Sequence, residues 1–209
     1  MEKMTSKLAI IFLFTGLLLT GFENQTEASG GMLKVEDRGP TVEELQHTLI
    51  QMGYLHTDAT GYYGTATEEA VKQFQSDFGL EADGVSGPNT LHEMENVRKI
   101  AQAVHGEARG ESFEGQVAVA SVIRNRMLSP EFPASVDEVI KQKNAFTAVR
   151  DGQYYLEPNA TSYKAVKEAW QGWDPSGGSH YYYNPEIATS EWIFTRTVNL
   201  EIGNHVFAN

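Results

Sequence analysis

The sequence predicts a mainly α-helical protein with two folded units: a small three-helix bundle, then a larger helical domain with a short strand region. Three observations lead to this fold class. Apolar residues recur at three- and four-residue spacing through most of the chain after residue 40, which is the period of a helix buried on one face. Glycines close several of these stretches. The strand candidates are few and short.

Residues 33–95 carry the pattern of a three-helix unit with one small core. The first two helices, TVEELQHTLIQMG and TATEEAVKQFQSDFG, each open with a threonine three residues before a glutamate and close on a glycine. This is the spacing of a capping box at the start and of a glycine stop at the end. A short third helix is predicted to begin at GPNTLHEM, where Pro88 suits a first helical turn. The capping pairs are Thr41 with Glu44 and Thr65 with Glu68.

Residues 97–209 follow a different pattern. VRKIAQAVHGEA predicts an amphipathic helix, and FEGQVAVASVIRNRM is apolar nearly all round, which suits a helix buried in the middle of a domain. Ser135 and Glu138 have the spacing of a capping box for the short helix VDEVIKQ. The stretch TSYKAVKEAWQG predicts a further helix that ends at Gly172.

The strand region of this second unit is predicted from two stretches. AFTAVRDGQYYL indicates a hairpin around Asp151 and Gly152, and DPSGGSHYYYNP indicates a turn, a short strand and a second turn. Trp170 and Trp192 are expected in the core. Together these patterns predict a mostly helical domain with one core and little sheet.

The first 28 residues have the layout of a secretory signal peptide. Two lysines precede LAIIFLFTGLLLTGF, an apolar run that is short for a membrane span, and Ala28 is a suitable cleavage position. A retained membrane anchor is the alternative. The sequence contains no cysteine, so a lipid-anchored lipoprotein is excluded. An exported protein without disulfides fits a bacterial envelope or exterior.

The charge and the histidines exclude several classes of function. The formal net charge of −12 would repel a polyanion, so nucleic acid is not expected as a partner. The six histidines show no HExxH or paired metal-ligand spacing, and no phosphate-cradling glycine loop occurs. We therefore predict no metal and no cofactor, and we expect a monomer.

One carboxylate stands apart by its position. Glu107, in the stretch HGEARGESFEGQ, falls beside Ile100 at the border of an apolar helical stripe and close to the helix C-terminus. Apolar surroundings and the negative end of a helix both disfavour a charged carboxylate, and a protonated one in a cleft can release a sugar oxygen. Spacing alone nevertheless favours a solvated glutamate at a helix end. Glu111 and Glu114 have the positions of ordinary first-turn acids of the next helix.

Residues 40–95 include the stretch TGYYGTATEEAVKQFQSDFGLEADGVSGPNTL. Its glycine turns, its AVKQFQ core and its DGVSGPNT ending resemble the bacterial peptidoglycan-binding module of the three-helix type. A helical bundle of another purpose is the alternative. Most of these positions are core and caps, so only the aromatics Tyr62 and Tyr63, expected to be exposed, are predicted to touch a glycan.

The second unit contains, in order, IAQAVHGEARGESFEGQVAVASVIRNRM, FP, AFTAVRDGQ, YKAVKEAWQGWDPSGGSHYYYNP, W and IGNHVF. These segments cover essentially all of residues 97–209 and resemble the SleB/CwlJ-type cell-wall hydrolases, the spore-cortex-lytic enzymes of endospore-forming bacteria. The resemblance implies a lysozyme-like fold and lytic transglycosylase action on the glycan strand. It also implies that Glu107, the first glutamate of GEARGE, is the catalytic acid.

A lytic transglycosylase needs only one carboxylate of its own. The 6-hydroxyl of muramic acid attacks its own anomeric carbon, so Glu107 would donate a proton to the leaving oxygen and then accept one from that hydroxyl. The product is a 1,6-anhydro sugar. Hydrolytic glycosidases generally use two carboxylates. If this protein were a hydrolase, Glu111 would be the candidate for the second one.

Six further residues are predicted to bind the substrate. Two stand at the start of the predicted hairpin, where lysozyme-like folds line the glycan groove, and a buried-helix glutamine could orient the substrate or Glu107. Aromatic residues of the short strand suit sugar rings, and an asparagine could hold an N-acetyl group. Packing of the strand tyrosines for stability alone is the alternative. The six residues are Gln116, Phe146, Thr147, Tyr182, Tyr183 and Asn184.

The sequence therefore predicts a secreted enzyme that cleaves the N-acetylmuramic acid to N-acetylglucosamine bond in the peptidoglycan of spore cortex or cell wall. The alternatives are a non-catalytic wall-binding protein, a hydrolytic muramidase and an amidase that cuts the stem peptide. An amidase would need a metal cluster or a nucleophile–base pair, and the sequence signals neither. The sequence leaves open an accessory regulatory protein that restrains the enzyme.

Overall fold

Helices and one small sheet make up the described structure, which comprises residues 31–143 and 145–209 of a computed structural model. The predicted signal peptide lies outside the described residues. Within those residues, no helix is long and apolar enough to cross a bilayer. The α-helices are α1 (Pro40–Gln51), α2 (Thr65–Asp77), α3 (Pro88–Ala108), α4 (Phe113–Leu128), α5 (Val136–Ile140), α6 (Thr147–Asp151) and α7 (Ala160–Trp170).

The three-helix bundle is built from α1, α2 and the first turns of α3. Its core is apolar and closed; it includes Val42, Leu49, Val71 and Phe74, each at most 1% exposed. Tyr63 was expected on the surface, but that prediction is wrong. Its ring is fully buried, and its hydroxyl donates to the Gly84 carbonyl at 2.8 Å.

Two of the three predicted capping boxes are wrong. The N-caps of α1 and α2 are Gly39 and Gly64, and neither helix has a side-chain cap. Gly39 lies two positions before Thr41 and Gly64 lies one position before Thr65, so both helices begin earlier than the capping boxes require. In α1 the fixed φ of Pro40 suits the first helical position. The box at α5 is confirmed, because the Ser135 hydroxyl donates to the Glu138 carboxylate and accepts from the Glu138 N–H.

Helix α3 joins the two units. The sequence predicted a short helix from Pro88 and a separate one from Val97, whereas the structure has one helix of 21 residues. No glycine or proline interrupts the chain between residues 89 and 105, and buried Met94, Val97 and Ile100 continue one apolar face across the predicted junction. The predicted domain bounds at residues 95 and 97 therefore fall inside a continuous helix.

The bundle also packs against α7 of the second domain. The Asp77 carboxylate accepts hydrogen bonds from the Tyr54 hydroxyl at 2.6 Å and from the Gln171 amide at 2.8 Å. Trp170, which was expected in the core, is half-buried at this junction with its ring 6.0 Å from the ring of Phe78. Shared helix and side-chain contacts thus fix the bundle to the second domain.

Helix α4 forms the centre of the second domain, as its uniform apolarity predicted. Ten of its residues are buried, and it packs against both α3 and α7. Its side chains from Val117 to Ala120 are fully buried. The small alanines in this run let α3 and α7 pack closely against α4. Helix α3 also contacts α6.

The sheet has three antiparallel strands in the order β1-β3-β2. The strands are β1 (Tyr181–Tyr183), β2 (Val198–Ile202) and β3 (His205–Ala208). Strand β1 lies within the predicted strand region. The β2–β3 hairpin, which turns at Gly203 and Asn204, was not predicted.

The hairpin predicted in AFTAVRDGQYYL is wrong. The segment forms α6 and a following 3-10 turn, Gln153–Tyr155. Gly152 adopts a left-handed conformation, with φ at 85°, and ends α6 instead of turning a hairpin. The Asp151 carboxylate accepts from the backbone N–H and the amide of Gln153, which stabilises this tight turn.

Candidate active site

Glu107 lies on the last turn of α3 and is half-buried. Its carboxylate meets the start of α6. The Thr147 hydroxyl lies 3.0 Å from Oε1 and 3.1 Å from Oε2, and the Ala148 N–H donates to Oε1 at 2.5 Å. The side chain is therefore held in one orientation instead of projecting freely from a helix end. Thr147, one of the predicted site residues, lies directly against it.

A glycine makes this contact between α3 and α6 feasible. A Cβ at Gly106 would lie 2.5 Å from the Cβ of Ala148 and 3.4 Å from backbone atoms of Gln153. Any side chain at residue 106 would therefore push α6 away from Glu107. Neither Gly106 nor the Ala148 N–H was predicted as part of the site. A signal was present, because glycine inside a helix costs about 0.5–1 kcal/mol relative to alanine and so requires a reason.

Tyr182 approaches Glu107 from the sheet. Its ring packs 6.2 Å from the ring of Phe146 and 5.1 Å from that of His205. Burial raises the pKa of Tyr182 well above its usual value, and the nearby Glu107 carboxylate raises it further. The phenol therefore keeps its proton at neutral pH. This buried hydroxyl faces the Glu107 carboxylate, but it forms no hydrogen bond of good geometry with any described residue.

His205 lies behind Tyr182 at the start of β3 and is buried. Burial lowers the pKa of His205, although the carboxylates of Glu111 and Glu107 act in the opposite direction. The imidazole is therefore neutral near pH 7. Its Nδ1 atom is buried and, within the described part of the chain, without a partner.

Two predicted substrate contacts lie beneath the site instead of in a groove. Gln116 is 4% exposed, and its amide donates to the Glu111 carbonyl at 3.3 Å and accepts from the Ser162 hydroxyl at 3.4 Å. Phe146 is 3% exposed and packs between Tyr182 and the Arg126 guanidinium. Both predictions are corrected, because a buried side chain in these positions supports the site from behind.

Tyr183 and Asn184 remain at the surface, both half-buried. As predicted for a strand, Tyr183 faces the opposite side of β1 from Tyr182. Its ring makes an edge contact at 5.4 Å with Phe194. The Asn184 side-chain oxygen accepts from the Glu186 N–H, so it holds the turn after β1.

Trp192 was expected in the core, and that prediction is wrong. It is 50% exposed, as is Phe194. Trp192 makes an edge contact at 5.2 Å with Tyr181, and the Arg196 guanidinium lies 4.5 Å from its ring centre. We call Tyr181, Tyr183, Trp192 and Phe194 the outer aromatic face. The structure forms it from two strand tyrosines and two later residues that sequence reasoning did not connect.

Glu111, the candidate for a second catalytic carboxylate, is hydrogen-bonded to the β2–β3 turn. Its two oxygens accept from the backbone N–H of Asn204 at 3.2 Å and from the Asn204 amide at 2.9 Å. No group of three or more histidine, aspartate or glutamate side chains in residues 31–143 and 145–209 could hold a metal ion. Glu107 is thus the carboxylate that the site presents.

Comparisons with known proteins identify both parts of the chain. A model for a putative peptidoglycan binding domain matches residues 38–94, and a model named Cell Wall Hydrolase matches residues 110–208. A spore cortex-lytic enzyme of Bacillus cereus is 35% identical over an alignment of length 255, which covers 99% of this chain and 98% of the relative. The chain belongs to the spore cortex-lytic enzyme family.

Other members of this family resemble the second domain more strongly. The spore cortex-lytic enzyme of Bacillus subtilis is 56% identical over 112 residues, which cover 54% of this chain and 37% of the relative. The solved catalytic domain of the germination-specific lytic transglycosylase SleB from Bacillus anthracis is 54% identical with a TM-score of 0.52. That likeness covers 55% of this chain and 93% of the solved domain. The predicted family, the fold class and the assignment as a peptidoglycan-cleaving enzyme are confirmed.

Proposed function

We propose that this enzyme cleaves the N-acetylmuramic acid to N-acetylglucosamine bond as a lytic transglycosylase, with Glu107 as its only acid and base. The observation that carries this proposal is the contrast between two carboxylates. Glu107 is oriented at the surface of the site by Thr147 and Ala148. Both oxygens of Glu111 instead accept hydrogen bonds from Asn204, so this carboxylate is engaged by the β2–β3 turn and not by the residues around Glu107.

The hydrogen bonds assign different tasks to the two oxygens of Glu107. Oε1 accepts from the Ala148 N–H and lies within reach of the Thr147 hydroxyl, whereas Oε2 has Thr147 alone. We therefore propose Oε2 as the oxygen that gives and accepts the proton. The Thr147 hydroxyl is almost equidistant from both oxygens, so it can stay bonded to the carboxylate before and after proton transfer.

The reaction then balances without water. The Glu107 carboxyl gives its proton to the glycosidic oxygen while the bond between that oxygen and the muramic anomeric carbon breaks. The 6-hydroxyl oxygen of the same muramic residue forms the new bond to that carbon, and its proton passes to the Glu107 carboxylate. The enzyme returns to its starting protonation state, and the product ends in a 1,6-anhydro ring.

The outer aromatic face offers contacts for the rest of the glycan strand. Trp192 and Phe194 are half-exposed, and edge contacts with the strand tyrosines hold their rings in place. Exposed rigid rings suit the apolar faces of sugars. We assign the predicted contacts of Tyr183 and Asn184 to this region, with Trp192 and Phe194 added.

The substrate that we propose is the peptidoglycan of the spore cortex. The match to a peptidoglycan binding domain at residues 38–94 supports peptidoglycan as the partner, and the names of the relatives favour cortex over vegetative wall. The corresponding location is the spore envelope, reached by way of the predicted signal peptide at residues 1–28. We propose a monomer that acts on glycan strands, with an accessory regulatory protein as a further partner.

Digestion of two purified substrates tests this function. Spore cortex and vegetative wall are incubated separately with the enzyme, and the released muropeptides are analysed by mass. We expect faster release from cortex and fragments that end in anhydromuramic acid. Reducing ends would indicate a hydrolytic muramidase, free amino termini on released peptides would indicate an amidase, and equal rates would remove the preference for cortex.

A further inference from the structure

We propose that Glu111 is a positioning residue that clamps the β2–β3 turn to the corner between α3 and α4, and so fixes Tyr182 and His205 beside Glu107. This inference rests on the proposed role of Glu107 as the reacting carboxylate. It gives the second glutamate of GEARGE a task that differs from that of a second catalytic acid.

The backbone of Glu111 is held on both sides. Its N–H donates to the carbonyl of Ala108, the last residue of α3, at 2.9 Å. Its carbonyl accepts from the buried Gln116 amide at 3.3 Å, and Gln116 in turn accepts from the Ser162 hydroxyl of α7. Glu111 is thus anchored to the same helix end that carries Glu107, four residues earlier.

The side chain of Glu111 reaches a turn 93 residues later in the chain. Each of its oxygens accepts one hydrogen bond from Asn204, one from the backbone and one from the amide. The carboxylate also packs directly on Gly203, where a Cβ would overlap it. Gly203 has φ at 56°, a left-handed conformation that glycine adopts readily. The turn is therefore shaped to receive this carboxylate.

The clamp acts on the site through the first residue of β3. His205 follows Asn204 directly, and its ring contacts the ring of Tyr182, which lies beside Glu107. The Tyr182 hydroxyl and His205 Nδ1 are both buried, and neither has a hydrogen-bond partner within the described residues. Strand β3 is hydrogen-bonded to both β1 and β2, so its place in the sheet does not depend on the clamp. Glu111 and Asn204 fix the turn that precedes His205, and so set the position of this ring and of Tyr182 beside Glu107.

Steady-state kinetics of a small set of variants tests the clamp. The set is Glu111→Gln, Glu111→Ala, Asn204→Ala, the double variant Glu111→Ala with Asn204→Ala, and the control Glu114→Ala. Glu114 is exposed in the first turn of α4, so the control removes a carboxylate from the same region. For each variant, kcat, KM, the pH profile of kcat/KM, the products and the thermal unfolding temperature are measured on glycan fragments.

We expect Glu111→Ala and Asn204→Ala to lower kcat by similar factors of about 10–100, the scale of a small displacement at a reacting group, with little change in KM. Both should shift the pH profile in the same direction. The double variant should be no worse than either single variant, because both remove one contact. Products should stay unchanged, Glu111→Gln should lie between wild type and Glu111→Ala, and Glu114→Ala should match wild type.

Two results would overturn the clamp. If Glu111→Gln loses as much kcat as Glu107→Gln while Asn204→Ala stays near wild type, Glu111 is a catalytic acid. If Glu111→Ala and Asn204→Ala lower the unfolding temperature but leave kcat and the pH profile unchanged, the contact is merely structural. Should Glu111→Ala fail to fold, Asn204→Ala and Glu111→Gln still decide the question. Reducing ends from the wild-type enzyme would refute the transglycosylase but not the clamp.

Discussion

The three-helix bundle and the second domain differ in whether their buried polar side chains have hydrogen-bond partners. In the bundle, the buried amides of Gln46 and Gln75 each form four hydrogen bonds, three to a nearby turn and one to a threonine hydroxyl of the following helix. In the second domain, four buried polar atoms have no partner within the described residues. They are Arg126 Nη1, Tyr182 Oη, Arg196 Nε and His205 Nδ1.

Two of these four atoms belong to residues at the proposed glycan site. Buried polar atoms are nearly always paired in folded proteins, and leaving one unpaired costs about 1–3 kcal/mol. Tyr182 lies beside Glu107, and Arg196 stacks on Trp192 of the outer aromatic face. The unpaired atoms of Tyr182 and Arg196 thus lie next to the proposed glycan contacts, whereas the two buried amides of the bundle are fully paired.

The largest expected effect is at Glu107. Glu107→Gln keeps the shape of the side chain but removes both the acid and the base, so we expect kcat to fall by at least about 10³-fold. Release of muropeptides from purified cortex measures this. Glu114→Gln, an exposed acid nearby, is the control and should retain full activity. Lysis by Glu107→Gln at the wild-type rate would place the chemistry elsewhere in the domain.

A smaller but still large effect is expected from Gly106→Ala. The added methyl would overlap Ala148 and move α6, so the donors to the Glu107 carboxylate would be displaced. We expect kcat to fall by about 10²-fold. Gly110→Ala is a matched control, because a Cβ there meets no atom within 4 Å. Equal activity of the two alanine variants would show that the contact between α3 and α6 does not matter for catalysis.

In the bundle, we expect an effect on stability instead of chemistry. Gln75→Ala removes the partner of the Gly84 N–H, the Val85 carbonyl and the Thr90 hydroxyl. The free energy of unfolding should fall by about 2–4 kcal/mol, because buried groups lose their hydrogen bonds. Denaturant unfolding measures the change, with Gln51→Ala at the end of α1 as control. At a temperature where the variant is folded, kcat on soluble glycan fragments should not change; a large fall in kcat would contradict the separation of roles.

The smallest expected effect is on substrate affinity. Trp192→Ala removes one ring of the outer aromatic face, so KM for long glycan fragments should rise by about 3–10-fold with kcat unchanged. Ile187→Ala is the control, since this apolar side chain is 74% exposed and lies outside the defined face. Steady-state kinetics on fragments of increasing length measures both variants. An unchanged KM for Trp192→Ala would remove the outer aromatic face from the proposed glycan contacts.

Helical periodicity predicted the helical part of the fold well. The apolar stripes located α1, α2, α4 and α7, and the uniform apolarity of α4 correctly indicated its central place. The junction was harder, because a short helix and a longer one with compatible faces merge when no breaker separates them. Turn glycines were ambiguous as well. The Asp151-Gly152 pair suits a hairpin, but in the structure Gly152 ends a short helix.

The site was only partly predictable for a similar reason. Glu107 could be singled out by its place on a stripe and by resemblance, and Thr147, predicted as a substrate contact, lies against its carboxylate. A backbone donor such as the Ala148 N–H leaves no mark in the sequence. The outer aromatic face and the Glu111–Asn204 clamp join residues far apart in the chain, which local spacing does not reveal. The β2–β3 hairpin did have a signal in the sequence. In TVNLEIGNHVF, apolar and polar residues alternate before the turn-forming pair Gly203 and Asn204, which indicates a hairpin.

The fate of solvent oxygen tests the central claim most directly. The wild-type enzyme digests purified cortex in water enriched in heavy oxygen, and the released muropeptides are analysed by mass. If Glu107 acts alone and the muramic hydroxyl is the nucleophile, the fragments carry no heavy oxygen at the cleaved end and lack one water relative to hydrolysis products. Heavy oxygen on the anomeric carbon of the new ends would contradict this, because water would then be the nucleophile.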